Sequence, residues 1–204
     1  METNSAATGI VMATRLEAAP FIDSGIFVCI EEKPLPVYKH KSVYLILSGI
    51  GKGSAAIAAT YLILKYQTEI MFNIGAAGST TEDYNLGDIL HIDSVIDYDR
   101  PKLIGLKPRY LKPDVLEGYK TSTLATQDVA VVSAQEREKV GKLASLVDME
   151  GAAFVQACRT FKVKNYLFKI VTDTPAHTVD NQIIENIKNT RDILFSFFKE
   201  RFLD

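Results

Sequence analysis

VDMEGAAFVQACRTFKVKNYLFKIVTDT, residues 147–174, reads as a helix and a strand with one carboxylate at the start of the first and one at the end of the second. After Glu150 the apolar residues Phe154, Ala157, Cys158 and Phe161 recur at helical spacing. Lys162 to Lys164 form a short polar connection, and Tyr166 to Val171 is an apolar, β-rich run suited to a buried strand. In an αβ unit of a parallel sheet the helix runs antiparallel to its strand. The helix N-terminus then lies at the edge where strands end, which is where open α/β sheets bind ligands. Glu150 and Asp173 are expected to share that edge. Either acid alone has a plain explanation, a helix dipole for one and a polar loop for the other. Together they match paired carboxylates that divide acid and base work.

Outward from this unit the pattern repeats. Gly9 to Ala13 and Val43 to Leu47 read as buried strands, with Phe27 to Ile30 and Leu35 to Tyr38 as weaker ones. Thr14 has the spacing to cap a helix with Glu17 three positions on. Glu17 therefore has two readings, a capping partner and a third acid near the carboxyl end of a strand. After Val43–Leu47 comes SGIGKGSAA and then a helix over Ala55–Tyr66. The glycines permit a tight turn, but neither the phosphate-loop nor the dinucleotide pattern is met. Glu69 to Ile74 is another strand, and Gly75-Ala76-Ala77-Gly78-Ser79 reads as a second small-residue loop whose backbone N–H groups can face a ligand. Leu86-Gly87-Asp88 turns into a strand over Ile89–Val95. Asp97 to Pro113 is a basic, proline-punctuated excursion, Gln135 to Leu146 reads as a short helix, and Ile183 to Phe202 as a closing helix whose apolar stripe, including Ile184 and Ile187, docks on the sheet. The fold class is α/β: one domain over residues 1–204, three layers, with helices around a central mixed, mostly parallel sheet.

Composition narrows the function. The 204 residues are 47% hydrophobic with a formal charge of −2, so no basic field points to nucleic acid. The longest apolar runs are too short to span a bilayer, and METNSAATG has neither the charge nor the apolar core of a signal peptide. Cys29 and Cys158 make no disulfide framework, which favours a cytoplasmic protein. His40, His91 and His177 are too scattered for a metal site.

Six pieces taken in order carry a resemblance: GIVMATRLEA, LILSGIGKGSAAIAATYLI, EIMFNIGAAGS, LGDIL, DMEGAAFVQACRTFKV and IVTDT. The chain resembles the purine nucleoside phosphorylase/uridine phosphorylase superfamily, and within it the methylthioadenosine/S-adenosylhomocysteine nucleosidases. The resemblance implies a nucleoside phosphorylase-like fold, hydrolysis of a ribose–purine bond, no metal or organic cofactor, a small nucleoside as the partner, and a homodimer in which the Asp97–Pro113 region lies near a neighbour's site. It implies that Glu17 activates water, Glu150 binds ribose hydroxyls and Asp173 protonates the purine. It also places Ile50 and Met149 on the nucleoside pocket, Ala76, Ala77 and Gly78 in its small loop, Val131 at the base edge, and Lys169 where these nucleosidases carry an arginine. Two departures stand out. Ala76 replaces a serine, and Ala130 replaces the phenylalanine that stacks on the base. The MEGAAF string is also similar to futalosine hydrolases. A phosphorylase and a non-catalytic nucleoside binder remain as further readings.

Overall fold

The computed structural model describes residues 6–100, 109–176 and 180–203. The middle of the basic excursion, residues 101–108, and His177 lie outside them. The chain opens with β1 (Thr8–Met12) and α1 (Arg15–Asp23), then β2 (Val28–Glu31), β3 (Val37–His40) and β4 (Val43–Leu47). Helix α2 (Lys52–Tyr66) leads to β5 (Ile70–Ser79) and β6 (Ile89–Asp97), with the short β7 (Arg109–Leu111) beyond. There follow β8 (Thr121–Thr126), α3 (Ala134–Gly141), β9 (Leu146–Asp148), α4 (Gly151–Phe161) and β10 (Lys164–Asp173). Helix α5 (Asp180–Phe198) ends in one π-helical turn, Lys199–Leu203.

The strands form one mixed sheet in the order β10-β6-β8-β9-β5-β1-β4-β3-β2, with β7 on β6. Its longest ladders, β5–β10 and β6–β8, are parallel. Because β10 also pairs with β5, the ladder β5–β10–β6–β8–β9 returns to its start and closes part of the sheet into a small barrel. Closure removes two edges that would otherwise expose unpaired backbone groups.

One layer packs α2 and α4 against the sheet through Ala58, Leu62, Phe154 and Val155, all fully buried. The other packs α1, α5 and the terminal turn through Phe21, Phe72, Phe168 and Phe198; the Phe198 ring meets Phe21 tilted and Phe72 edge-on, and Phe72 stacks on Phe168. Burying each such side chain contributes roughly 1.5–3 kcal/mol before entropy is counted. Leu194 and Phe198 dock on the sheet as their spacing predicts, but Ile184 does not and stays half exposed.

Two expectations are corrected. Gly75–Ser79 is not a loop: it is the second half of β5, paired with β10 and then with β9. Residues this small carry no β signal, and the neighbouring backbones supply the ladder instead. The helix expected to Leu146 ends at Gly141, and Leu146–Asp148 is β9. A three-residue strand is too short to leave a period in sequence.

Candidate active site

The carboxyl ends of β1, β5, β9 and β10 surround a cavity of about 340 Å³, within the range of small-ligand pockets. Glu17, Glu150 and Asp173 all line it, and all three are buried. Ile50, Ala76, Ala77, Gly78, Ala130, Val131 and Met149 line it too. Every residue singled out from the sequence thus meets at one place except Lys169.

Both readings of Glu17 hold, and one produces the other. Thr14 caps α1, and its backbone N–H and hydroxyl donate to Glu17 Oε2 at 3.0 and 2.7 Å. The capping box swings the carboxylate over β5, where Ala76 N–H donates to Oε1 at 2.8 Å. This approach requires glycine beneath it: a Cβ on Gly75 would lie 2.8 Å from Glu17 Oε1. Gly78 is matched to Asp173 in the same way, its hypothetical Cβ falling 2.8 Å from each carboxylate oxygen. The small residues of β5 are therefore the floor on which two acids rest. A register shift between Val171 and Asp173 in the β5–β10 ladder accompanies the placement of Asp173 at the cavity wall.

Glu150 is the N-cap residue of α4, and its side chain caps nothing. It accepts instead from Gly51 N–H at 2.9 Å. Gly51 has φ +101°, a conformation L side chains rarely adopt, so the loop before α2 can present this N–H only with glycine there. The loop is tied down further by Lys52, whose backbone N–H donates to Asp128 at 2.8 Å and whose ammonium pairs with Asp97 at 3.1 Å and with Asp99.

Lys169 is a correction. It lies under the site, not in it, fully buried on β10 with its ammonium 2.8 Å from Asp148 Oδ2. Asp148 also accepts from the Thr126 hydroxyl at 2.6 Å and from Gly151 N–H at 2.8 Å. Burial opposes the charge on Lys169, but Asp148 and Glu150 outweigh it and its pKa is raised. Since Asp148 takes the ammonium, Glu150 is left as surplus negative charge. Burial first, and Asp148 second, push its carboxyl up to about 7.

Sequence reasoning missed three features. Arg137 of α3 is buried and pairs with Asp173. In the polar run QEREK it carries no mark that separates it from a solvated charge. Asp148 was read only as part of a motif. Ile183, Ile184 and Ile187 of α5 line the cavity. Asn186 donates to Thr172 O at 2.8 Å and Arg191 to Leu16 O at 3.1 Å, holding α5 across the site. At the mouth Ile50, Val129 and Ile184 are exposed, so the rim is apolar while the acids lie deep. No aromatic ring lines the cavity among the described residues.

Residues 8–122 and 117–199 match the model of the Phosphorylase superfamily. A 5'-methylthioadenosine/S-adenosylhomocysteine nucleosidase from Staphylococcus epidermidis is 32% identical over 158 residues, 66% of this chain and 69% of that protein. A crystal structure of the Helicobacter pylori nucleosidase of the same name superposes with a TM-score of 0.80 at 21% identity, covering 97% of this chain and 99% of that one. The futalosine hydrolase of Helicobacter pylori superposes with a TM-score of 0.79 at 22% identity, covering 96% and 98%.

Proposed function

The chain belongs to the phosphorylase superfamily, and from that premise we propose that it is a hydrolytic purine nucleoside N-glycosidase of the 5'-methylthioadenosine/S-adenosylhomocysteine type. The observation that carries this reading is the convergence of Glu17, Glu150 and Asp173 on one largely apolar cavity.

Breaking a ribose–purine bond passes through an oxocarbenium-like state, as in glycoside hydrolysis. The purine is a poor leaving group as an anion. Asp173 gives its proton to N7 as the C1′–N9 bond breaks, and the bonding electrons stay with the base. Glu150 accepts hydrogen bonds from the ribose hydroxyls and holds the sugar while the base departs. Glu17 orients a water molecule, which adds its oxygen to C1′ and passes a proton to the Glu17 carboxylate. The products are neutral base and free sugar. Exchange with solvent then returns the proton from Glu17 to Asp173. The apolar rim at Ile50, Val129 and Ile184 suits a thioether on C5′. The aliphatic wall at Ala130 and Val131 offers a base no ring to stack on, and this keeps futalosine-like nucleosides as the second reading.

Water is favoured over phosphate as the nucleophile. Glu17 would repel a phosphate dianion in a low-dielectric cavity. Arg15 is no counterweight: it faces solvent and pairs with Asp23 at 2.8 Å. Lys169 and Arg137 are taken by Asp148 and Asp173.

The chain acts as one domain and pairs with a second copy in the cytoplasm. The outer face of α2 supports the pairing, because Ile57 and Leu64 are exposed there beside Ala56 and Tyr61. The exposed free thiol of Cys29 suits a reducing compartment, and among the described residues no helix is long and apolar enough to cross a membrane. Base release by the purified protein over a panel of methylthioadenosine, adenosylhomocysteine, futalosine, adenosine and inosine, followed by chromatography, tests the assignment. Release from none of them would refute it.

A further inference from the structure

Arg137 is 3% exposed, on an otherwise polar helix. Its guanidinium joins two strand ends: Nη1 donates to Ser79 O of β5 at 2.8 Å, and Nη2 pairs with Asp173 Oδ2 of β10. The side chains of the pair are 4% and 7% exposed. A staple between β5 and β10 does not need a carboxylate that also lines the ligand cavity, yet Asp173 is the residue chosen. Helix α3 is in turn tied to the base end of the cavity. Gln127 Nε2 donates to Val129 O at 2.6 Å and to Glu136 Oε1 at 3.2 Å, which joins the first turn of α3 to the loop carrying Val131.

We propose that Arg137 is a positioning residue for the general acid Asp173, a role that rests on the nucleosidase reading above. A guanidinium has donors only and cannot accept a proton. The acidic proton of Asp173 therefore cannot lie between the two side chains. It must sit on Oδ1, the oxygen the guanidinium leaves free. Arg137 thus selects which oxygen carries the proton and fixes its direction toward the leaving base. The fork of two donors matters as much as the charge, because one nitrogen is anchored on Ser79 O while the other holds the carboxylate.

The test compares two leaving groups in the full-length enzyme. An adenine nucleoside needs its base protonated; a 4-nitrophenyl riboside loses a stable phenolate without help from an acid. Arg137→Gln is expected to lower kcat on the adenine nucleoside by about tenfold or more, within the reach of a misplaced general acid, and to leave the nitrophenyl riboside within about threefold. In an Asp173→Asn background Arg137→Gln should add no further loss on the adenine nucleoside, the non-additivity expected of two residues that act as one unit. Equal losses on the two substrates, or a full further loss on top of Asp173→Asn, would overturn the proposal and leave Arg137 a staple. If Arg137→Gln does not fold by circular dichroism, Arg137→Lys is read by the same ratio. If the wild type cleaves only the adenine nucleoside, the double-variant comparison decides alone. A wild type that cleaves neither substrate refutes the nucleosidase reading, and this role with it.

Discussion

Lys169 Nζ lies 2.8 Å from Asp148 Oδ2, and this pair leaves Glu150 without a cation of its own. The carboxyl of Glu150 is consequently raised to about 7, by burial and then by Asp148. Ribose hydroxyls donate best to the ionised form. Below pH 7 the free protein holds a proton there that a bound sugar must displace. Nucleoside binding should therefore tighten as pH rises from 6 to 8, with up to one proton released. Calorimetry in two buffers of different ionisation enthalpy measures that proton. Glu150→Gln should weaken binding and flatten the profile, whereas tighter binding at low pH would contradict the role given to Glu150.

The same pair makes a prediction about stability. Lys169→Met strands Asp148 in a buried site, and breaking a buried ion pair from one side costs about 3–5 kcal/mol. Urea denaturation of the variant should show a loss of that order. A loss under about 1 kcal/mol would mean that water reaches Asp148.

Gly78→Ala places a methyl group against both oxygens of Asp173, at a distance real Cβ atoms do not show. Asp173 is clamped by Arg137 and has little freedom to give way. The expected result is a drop in kcat of about tenfold or more from a displaced acid, with the folded state retained by circular dichroism. Unchanged turnover would show that the carboxylate is free to move.

Ala130→Phe restores a ring to a cavity that has none among the described residues. Stacking contributes about 0.5–1.5 kcal/mol beyond area burial, so adenine nucleosides should bind up to about tenfold tighter. Titration with a non-hydrolysable adenine nucleoside checks this. No gain would mean that Ala130 faces away from the base.

The parts of this site that were legible in sequence are those where side-chain chemistry and local geometry agree. Thr14 and Glu17 form a capping box at the predicted spacing, and the box itself delivers Glu17 to the cavity. β4 has the predicted bounds because its apolar run is buried. What was illegible depends on neighbours distant in sequence. Gly75–Ser79 is a strand only because β10 and β9 pair with it. Arg137 is a site residue only because its helix packs over Asp173, and Lys169 is a support because Asp148, not a ligand, takes its charge.

The most direct test of the account is the sugar product of the purified enzyme acting on methylthioadenosine, with and without inorganic phosphate. The arrangement of Glu17, with Arg15 turned to solvent, calls for free methylthioribose in both cases and a rate indifferent to phosphate. Recovery of the sugar 1-phosphate as the main product, at a rate that saturates with phosphate, would contradict it.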